Sequence, residues 1–199
     1  MLSAILLAAG SSRRMGASNK LLLPWQDHTI VASTATNLLA AGLHEIIVVT
    51  GFEAPAIVDA LKGLPLQFIH NPAYEEGMTS SIRAGVRQAT GSGYMVCLAD
   101  MVMISPTEYA HLASAWEKRY TLDDHCIGVP EYQGQKGNPV ILPATLRENI
   151  LSHPEKEGCR DLVRLHHPHH LYIPMPTDHI LKDIDRPEDY TLLKELVHT

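Results

Sequence analysis

The chain has 199 residues, 45% of them hydrophobic, and its 22 acidic residues against 16 lysines and arginines give a formal net charge of −6 at pH 7. A chain of this length and apolar content can build one substantial core, so we expect a single domain spanning residues 1–199. The acidic balance excludes the broad basic surface that binds a long nucleic acid, but it allows a local anion site.

Cysteine usage and the N-terminal residues indicate the compartment. Cys97, Cys126 and Cys159 are odd in number, lie far apart and match no zinc or CxxC spacing, which argues against a disulfide framework and a cysteine-ligated metal. The apolar stretch before Gly10 is too short for a signal peptide or a membrane span. We therefore expect a soluble cytoplasmic protein that binds no membrane.

Short apolar runs alternate with helical periodicity in the first part of the chain. The pattern predicts strands at residues 2–7, 45–50, 66–70 and 94–99, and helices at residues 30–41, 55–62, 79–89 and 106–118. Strands separated by helices indicate βαβ units and a mostly parallel sheet covered on both faces. The predicted fold class is therefore α/β, a Rossmann-like arrangement of three α/β/α layers.

The pattern becomes less regular after residue 118. It predicts strands at residues 126–130, 139–142 and 171–173, and helices at residues 144–151, 160–166 and 187–197. We expect this part to add a lid or second-substrate elements to the same sheet. Because ligands of open α/β sheets bind beyond the carboxyl ends of the strands, residues at those ends are the first candidates for a site.

The stretch LLAAGSSRRMGASNK, residues 6–20, follows the first predicted strand with small residues and then cations. Neither common phosphate loop fits, because five residues separate Gly10 from Gly16, Ala17 follows in place of lysine, and GxGxxG is absent. Small side chains would still let a base or a phosphate reach the backbone amides, where Arg14 and Lys20 could meet a triphosphate. The same residues also fit an ordinary strand-to-helix turn with surface cations.

This stretch resembles the signature of the nucleotidylyltransferase family that contains molybdenum-cofactor cytidylyl- and guanylyltransferases, LA-A/G-G-x-S/G-x-R-M-G, a short gap, then K. In that family the loop wraps a nucleoside triphosphate, and the arginine and the lysine steady its phosphates. The double alanine resembles the cytidylyl branch, since the guanylyl branch usually has LAGG. The resemblance also implies a fold like that of nucleotide-diphospho-sugar transferases. The matching positions are Leu7, Ala8, Ala9, Gly10, Ser12, Arg14, Met15, Gly16 and Lys20.

The stretch HNPAYEEGMTSSIRAGV, from His70, places a glycine and three hydroxyl residues at a predicted helix start. Hydroxyl residues at such a position often cap the helix. The stretch also resembles the family element GM-S/T-x-S-L-x-x-G, which flanks the base and the ribose, and cap and contact can coexist. The candidate nucleotide contacts are Gly77, Met78, Ser80 and Ser81.

Asp100 ends the apolar run YMVCLAD. A carboxylate at the end of a central strand is well placed for Mg²⁺, which prefers one or two carboxylates together with phosphate oxygens, although a lone aspartate there is more often a turn or cap residue. The run resembles the family motif LADMP, which implies that Asp100 is a magnesium ligand and a catalytic residue. Val102 replaces the usual proline of that motif.

Asp183 and Asp185 lie two residues apart, so they share one face if the segment is extended, just before a predicted helix at Pro187. Capping of that helix by Asp185 is the alternative to a ligand role. The segment resembles the family motifs DIDTPED and NVNTPED, whose second acidic or amide residue lies near the metal and the phosphates. The resemblance implies that Asp185 is the second metal ligand, with Asp183 behind it.

Two further stretches resemble acceptor-side segments of the family. In GQKGNPVIL, Gly137 and Asn138 match a G-H-P-V turn, with Asn138 in the histidine position, and EGCRDLV adds Arg160 and Asp161. The run HHPHH, residues 166–170, contains a proline and has no neighbouring cysteine, so we interpret it as a polar connection rather than a metal site.

The resemblance implies a nucleotidyltransferase of the EC 2.7.7 type that uses Mg²⁺ to transfer CMP from CTP to the molybdopterin cofactor, with residues 1–100 binding the nucleotide and residues 101–199 the acceptor. A molybdoenzyme client is a further possible partner. Two alternatives stay open: a nucleotidylyltransferase that uses GTP or another phosphorylated acceptor, such as a sugar or polyol phosphate, and a non-catalytic protein that binds or assembles the molybdenum cofactor.

Overall fold

The computed structural model of the protein describes residues 1–12, 15, 19–154 and 158–197. The predicted alternation of strands and helices is confirmed in the first part of the chain. The elements there are β1 (Leu2–Ala8), β2 (Pro24–Trp25), β3 (His28–Thr29), α1 (Ile30–Ala40), β4 (Glu45–Thr50), α2 (Ala54–Ala60), β5 (Gln67–His70), α3 (Met78–Gln88), β6 (Gly93–Leu98) and α4 (Pro106–Tyr120).

The less regular part also forms strands and helices near the predicted positions. Its elements are β7 (Ile127–Tyr132), β8 (Gln135–Lys136), β9 (Val140–Pro143), α5 (Arg147–Ser152), α6 (Arg160–Leu165), β10 (His170–Pro174) and α7 (Pro187–Val197). The helix predicted at 144–151 divides into a 3-10 turn, Ala144–Leu146, and α5. The sequence pattern missed β2, β3 and β8, because strands of two residues carry no periodicity.

The main sheet has the strand order β10-β7-β9-β6-β1-β4-β5, with β8 paired to β7. The four strands β6, β1, β4 and β5 run parallel to one another, and β10 is parallel to β7. Strand β9 is antiparallel to both β6 and β7, so the sheet is mostly but not wholly parallel. The chain leaves β1 toward β4 on one side and later returns to pair β6 on the other, which makes the carboxyl end of β1 a topological switch point.

Helices cover both faces of the sheet, as the alternating side chains of β1 show. Leu6 belongs to the core shared with α1, α2 and α4, whereas Ile5 belongs to the core shared with α3, α5 and α6. A Cβ on Gly85 of α3 would clash with Ile5, so this glycine lets α3 approach the sheet closely. The predicted three-layer α/β/α arrangement is therefore confirmed. Among the described residues, no helix is long and apolar enough to cross a bilayer.

A buried carboxylate, that of Glu108, ties α4 to the segment that precedes α7. Ser105 and Glu108 form a capping box at the start of α4, and Glu108 is only 4% exposed. Its other contacts come from far along the chain, since Thr177 Oγ1 donates to Oε1 at 2.5 Å and His179 Nδ1 lies 3.0 Å from Oε2. Glu108 therefore holds the turn Asp178–Leu181, and with it the acidic segment that follows.

Replacement of Glu108 by Gln should lower the free energy of unfolding at pH 7 by about 2 kcal/mol, because it removes a buried charged acceptor that several partly buried donors share. Burial alone would raise the pKa of Glu108, but hydrogen bonds from Thr177, His179 and Ser105 hold it below its ordinary value. A lowered pKa means that the charge stabilises the fold above the ordinary glutamate pKa, about 4.3, and that this contribution is lost as the pH falls through the pKa of the folded protein.

Urea denaturation of the wild type, of Glu108→Gln and of Glu148→Gln, which changes an exposed glutamate on α5, measures this effect. We expect the difference between the wild type and Glu108→Gln to shrink from pH 7 to pH 4 and Glu148→Gln to match the wild type throughout. A difference for Glu108→Gln that does not change with pH would contradict the role given to its charge.

Candidate active site

A cleft of about 1010 Å³ lies along the carboxyl edge of the sheet, and the loop after β1 forms part of its wall. The Ala9 carbonyl oxygen accepts a hydrogen bond from the Phe52 amide at 3.1 Å. A Cβ on Gly51 would lie 2.6 Å from the Tyr74 side chain and 2.9 Å from the Ala9 oxygen, so a glycine is needed where these loops meet. A Cβ on Gly10 would meet no described atom within 4 Å, which leaves this backbone open to the cleft.

Ser12 closes the loop onto the residues that follow the undescribed part. Its backbone has φ of 49°, and its Oγ accepts a hydrogen bond from the Lys20 amide at 3.2 Å. Asn19 Oδ1 accepts from the Leu21 amide at 3.1 Å and so caps the 3-10 turn Lys20–Leu22. The backbone at Lys20 is therefore held in place by these hydrogen bonds. Arg14, the other cation predicted here, lies outside the described residues.

The Lys20 ammonium lies between two carboxylates that come from distant parts of the chain. Nζ is 2.5 Å from Asp100 Oδ2 and 3.1 Å from Asp185 Oδ1. The Lys20 and Asp100 side chains are only 15% and 11% exposed, so solvent screens this contact weakly. Burial lowers the pKa of Lys20, but the two carboxylates outweigh that effect and raise it above its ordinary value, so the side chain stays charged.

Asp183 joins the same group. Oxygen atoms of Asp100, Asp183 and Asp185 all lie within 4.8 Å of one another. Burial, and then the charges of the other two aspartates, raise the pKa of Asp183 above its ordinary value. Three carboxylates against one ammonium leave two negative charges uncompensated among these four side chains. Such a group attracts a cation of charge two.

The segment before α7 is held by Asp189. Asp189 Oδ2 accepts hydrogen bonds from the backbone amides of Asp185 at 3.1 Å and of Arg186 at 2.7 Å. These bonds fix the two residues that precede the helix, while Asp185 Oδ1 contacts Lys20. Capping of the helix by Asp185 stays a prediction beside its place in the acidic group.

The chemistry of these donors fits a hard divalent cation. Mg²⁺ takes oxygen ligands and is usually held by one or two carboxylates with waters or phosphates completing its shell. Asp100 Oδ1 is buried and receives no hydrogen bond from any described residue, although a buried carboxylate oxygen normally has a partner. A cation bound by the three aspartates would satisfy this oxygen.

The start of α3 lines the opposite wall of the cleft. No side chain caps this helix, which begins after Gly77 at φ of 114°, so the capping alternative is not borne out. Instead Asn71 Nδ2 donates to Ser80 Oγ at 2.9 Å and to Ser81 Oγ at 3.0 Å, which fixes both hydroxyls. Gly77, Met78 and Ser81 line the cleft, so this helix begins at the cleft wall.

The turn at Gly137 and Asn138 forms the far end of the cleft. A Cβ on Gly137 would clash with the Ile180 carbonyl oxygen, and the Asn138 amide donates to that oxygen at 3.0 Å. Gly137 is therefore explained by close packing on the turn that Glu108 holds. The wall beside it consists of apolar side chains from three strands: Val96 and Leu98 of β6, Val129 of β7, and Val140 and Leu142 of β9.

Most of the predicted site residues line this one cleft. Of those that the structure describes, three do not: Ala8 packs in the core, Ser80 bonds the Ala73 carbonyl oxygen, and Asp161 pairs with Arg164 at 2.7 Å on the surface. Those that line it are Leu7, Ala9, Gly10, Ser12, Lys20, Gly77, Met78, Ser81, Asp100, Gly137, Asn138, Arg160 and Asp185.

The residues of the cleft wall that the sequence reasoning missed include Tyr74, Glu75 and Lys136. Tyr74 and Glu75 belong to the stretch from His70 that resembles the family's nucleotide-binding element. Their position just before Gly77 could have indicated that they line the same site. Lys136 lies directly before Gly137 in the stretch GQKGNPVIL, so its position could likewise have indicated a place in the cleft wall. The resemblance gives Asp183 only a secondary place to the ligand Asp185, whereas the structure brings its carboxylate into the group with Asp100 and Asp185.

Known proteins are similar to this chain in sequence and in architecture. The chain is 31% identical over 150 residues to nicotine blue oxidoreductase of Paenarthrobacter nicotinovorans, covering 74% of each chain. It is 26% identical over 192 residues to molybdenum cofactor cytidylyltransferase of Escherichia coli K12, covering 96% of this chain and 94% of the relative. The solved structure of a nucleotidyl transferase from Methanothermobacter superposes with a TM-score of 0.87 at 23% identity, over 100% of this chain and 99% of that one.

The family itself is identified by a match that covers most of the chain. Residues 4–171 match the family described as the MobA-like NTP transferase domain. The match includes the loop after β1, Lys20, Asp100 and the start of α3, which the fold brings to one cleft. This chain therefore belongs to the MobA-like NTP transferase family, and it is a nucleotidyltransferase of the EC 2.7.7 type.

Proposed function

We propose that this protein transfers CMP from CTP to the molybdopterin cofactor and releases pyrophosphate, with Mg²⁺ as its metal. The observation that carries the proposal is the meeting of Lys20 with Asp100, Asp183 and Asp185 beside an open backbone loop. The cytidylyltransferase of Escherichia coli K12, which matches 96% of this chain, supports CTP and molybdopterin as the substrates.

The reaction needs positioning and charge more than covalent chemistry from the protein. An oxygen of the acceptor phosphate attacks the α-phosphorus, the bond between that phosphorus and the bridging oxygen breaks, and the electron pair leaves with pyrophosphate. The acceptor phosphate is already ionised near neutral pH, so no protein base or nucleophile is required. Asp100, Asp183 and Asp185 would hold the metal, whose charge would stabilise the phosphate oxygens.

Lys20 supplies a positive charge next to that group. Because its backbone is fixed by Ser12 and Asn19, the ammonium can move from the carboxylates to phosphate oxygens without moving the loop. Arg14 is the second cation in this proposal. Gly77, Met78 and Ser81 would contact the nucleotide, and Asn138 and Arg160 the acceptor.

One relative bears the name of an oxidoreductase, so a redox reaction is the second candidate. A group of three carboxylates with a lysine favours phosphoryl transfer, since hydride transfer between organic molecules has no use for it. Two further alternatives are transfer from GTP, or to a sugar or polyol phosphate, and cofactor binding without turnover.

The deciding experiment measures pyrophosphate release from CTP, GTP and ATP with Mg²⁺ and purified molybdopterin cofactor, with sugar phosphates as other acceptors. Release that requires CTP and the cofactor supports the proposal. Release with another acceptor overturns the assigned substrate, and nucleotide binding without release favours the binding protein. A parallel assay of NADH and NADPH oxidation with dye acceptors tests the redox candidate.

Replacement of Asp100 by Asn should reduce pyrophosphate release at least about 100-fold, because it removes a charged oxygen from the centre of the metal group. Direct titration with Mn²⁺ should show a loss of metal affinity of about 10-fold or more. The matched control is Asp178→Asn, an aspartate of the same acidic segment that pairs with Lys182 on the surface. Equal metal affinity in the two variants would exclude Asp100 as a ligand.

Replacement of Lys20 by Met should have opposite effects on metal binding and on turnover. The ammonium contacts two of the proposed ligands, so its removal should tighten Mn²⁺ binding in the absence of nucleotide by about 10-fold, while pyrophosphate release falls. Lys62→Met, at an exposed position after α2, serves as the control in both titration and turnover. Weaker Mn²⁺ binding by Lys20→Met would show that Lys20 supports the metal rather than competing with it.

Replacement of Ala9 by Gly should raise the ratio of GTP to CTP turnover, because the methyl group removed belongs to the cleft wall where the base would approach. Ala8→Gly removes the same group one residue away, where it faces the core. That variant should lose about 1 kcal/mol of stability and keep the wild-type ratio. Turnover with the three nucleotides, measured for both variants, decides whether Ala9 influences the base.

A further inference from the structure

The histidine run at residues 166–170 does not act as one unit in the structure. His166 Nδ1 lies 2.9 Å from the Leu162 carbonyl oxygen and His170 Nε2 lies 2.7 Å from that of Val163, so these two side chains bond to α6. His169 instead meets the loop between α4 and β7. This separates one histidine of the run from the others and gives it new partners.

The partners of His169 are residues that bind metals well. Its Nδ1 lies 3.2 Å and 3.3 Å from the two carboxylate oxygens of Asp123. The imidazole of His125 lies on the same side, with its ring centre 5.4 Å from that of His169. Candidate ligand atoms of Asp123, Asp124 and His125 all lie within 4.8 Å of one another. One imidazole and two carboxylates thus lie together, and a second imidazole, from a segment 44 to 46 residues away, contacts one of those carboxylates.

The distances resemble those around a tetrahedral zinc ion. Zinc bonds to histidine nitrogen and carboxylate oxygen at about 2.0–2.2 Å, which puts neighbouring ligand atoms about 3.3–3.6 Å apart. The same bond length puts the ring centres of two coordinating imidazoles about 5.2 Å apart. The distance between His169 and Asp123 and the distance between the two rings are therefore close to those that one bound ion would give.

The surroundings favour these three ligands over others. Asp124 Oδ1 lies 2.7 Å from His125 Nδ1, the kind of carboxylate partner that fixes a ligating imidazole and leaves its other nitrogen for the metal. The adjacent Cys126 is buried and so lies away from these more exposed side chains. Arg119 contacts Asp123 only at 3.7 Å and is half exposed, so it is a weak competitor.

We propose that Asp123, His125 and His169 form a zinc site at the edge of the sheet, separate from the active-site cleft, with Asp124 as the partner that orients His125. The site joins the loop before β7 to the turn before β10. Because His170 pairs with Ile127 where these two strands begin, a bound ion would lock the edge of the sheet that carries the apolar wall of the cleft. Its role is therefore to stabilise the acceptor side of the fold.

Calorimetric titration of the full chain with Zn²⁺, in excess Mg²⁺ and without a histidine tag, tests the proposal. We expect one site in the wild type, a loss of affinity of about 10- to 100-fold in His169→Gln and in Asp123→Asn, and a Zn²⁺-dependent rise in Tm that both variants lack. His167→Gln, which changes a neighbouring histidine of the same run, should keep the wild-type affinity. Tetrahedral absorption of bound Co²⁺ gives an independent readout of the geometry.

Two outcomes would overturn the site. Equal Zn²⁺ affinity in the wild type and in His169→Gln, with both proteins folded by circular dichroism, would assign binding to other residues. Loss of the Zn²⁺ signal in Asp100→Asn would place the ion in the cleft instead. Neither result depends on whether CTP is the substrate, so the site and the proposed function are tested separately.

Discussion

The contact of Lys20 with two aspartates is the interaction on which the geometry of the cleft depends. It joins the loop after β1, the loop after β6 and the segment before α7. Asp100 and Asp185 lie 80 and 165 residues from Lys20 along the chain. An ammonium that stays charged while mostly removed from water needs such partners to offset the cost of its desolvation. The aspartates have the same need, because three carboxylates in one place repel one another.

The sheet and the turn held by Glu108 bring the aspartates to Lys20 in different ways. Asp100 follows β6, whose backbone is paired on both sides, so its position is fixed by the sheet. Asp183 and Asp185 lie on an irregular segment, which has no such ladder. Its position comes from the hydrogen bonds of Glu108 to Thr177 and His179 and from the packing of Ile180 on Gly137. In the acidic group, Asp100 is therefore positioned by the sheet, whereas Asp183 and Asp185 are positioned by hydrogen bonds and packing outside it.

The sequence was sufficient for the parts of the molecule that local pattern determines. Apolar runs and helical periods predicted β1, β4, β6 and the helices between them, and the strand ends predicted Asp100. Resemblance to a known loop located Lys20. The antiparallel course of β9, the contact of Glu108 with His179 and the meeting of His169 with Asp123 lay beyond that reasoning, because each joins residues far apart in sequence. Pairings of this kind are set by the packed fold and leave no periodicity in the chain.

The two ends of the cleft differ in how they can recognise a ligand. The end at β1 offers the backbone at Gly10 and the first turn of α3, and backbone amides at a helix start can bind a phosphate whatever the side chains are. The end at Gly137 is lined by side chains of β6, β7 and β9. The strands that carry them pair through backbone hydrogen bonds. Substitutions there can change the shape of this end of the cleft while the carboxylates stay in place. Under the proposed function, the fold therefore fixes the chemistry at the phosphates more strictly than it fixes the identity of the acceptor.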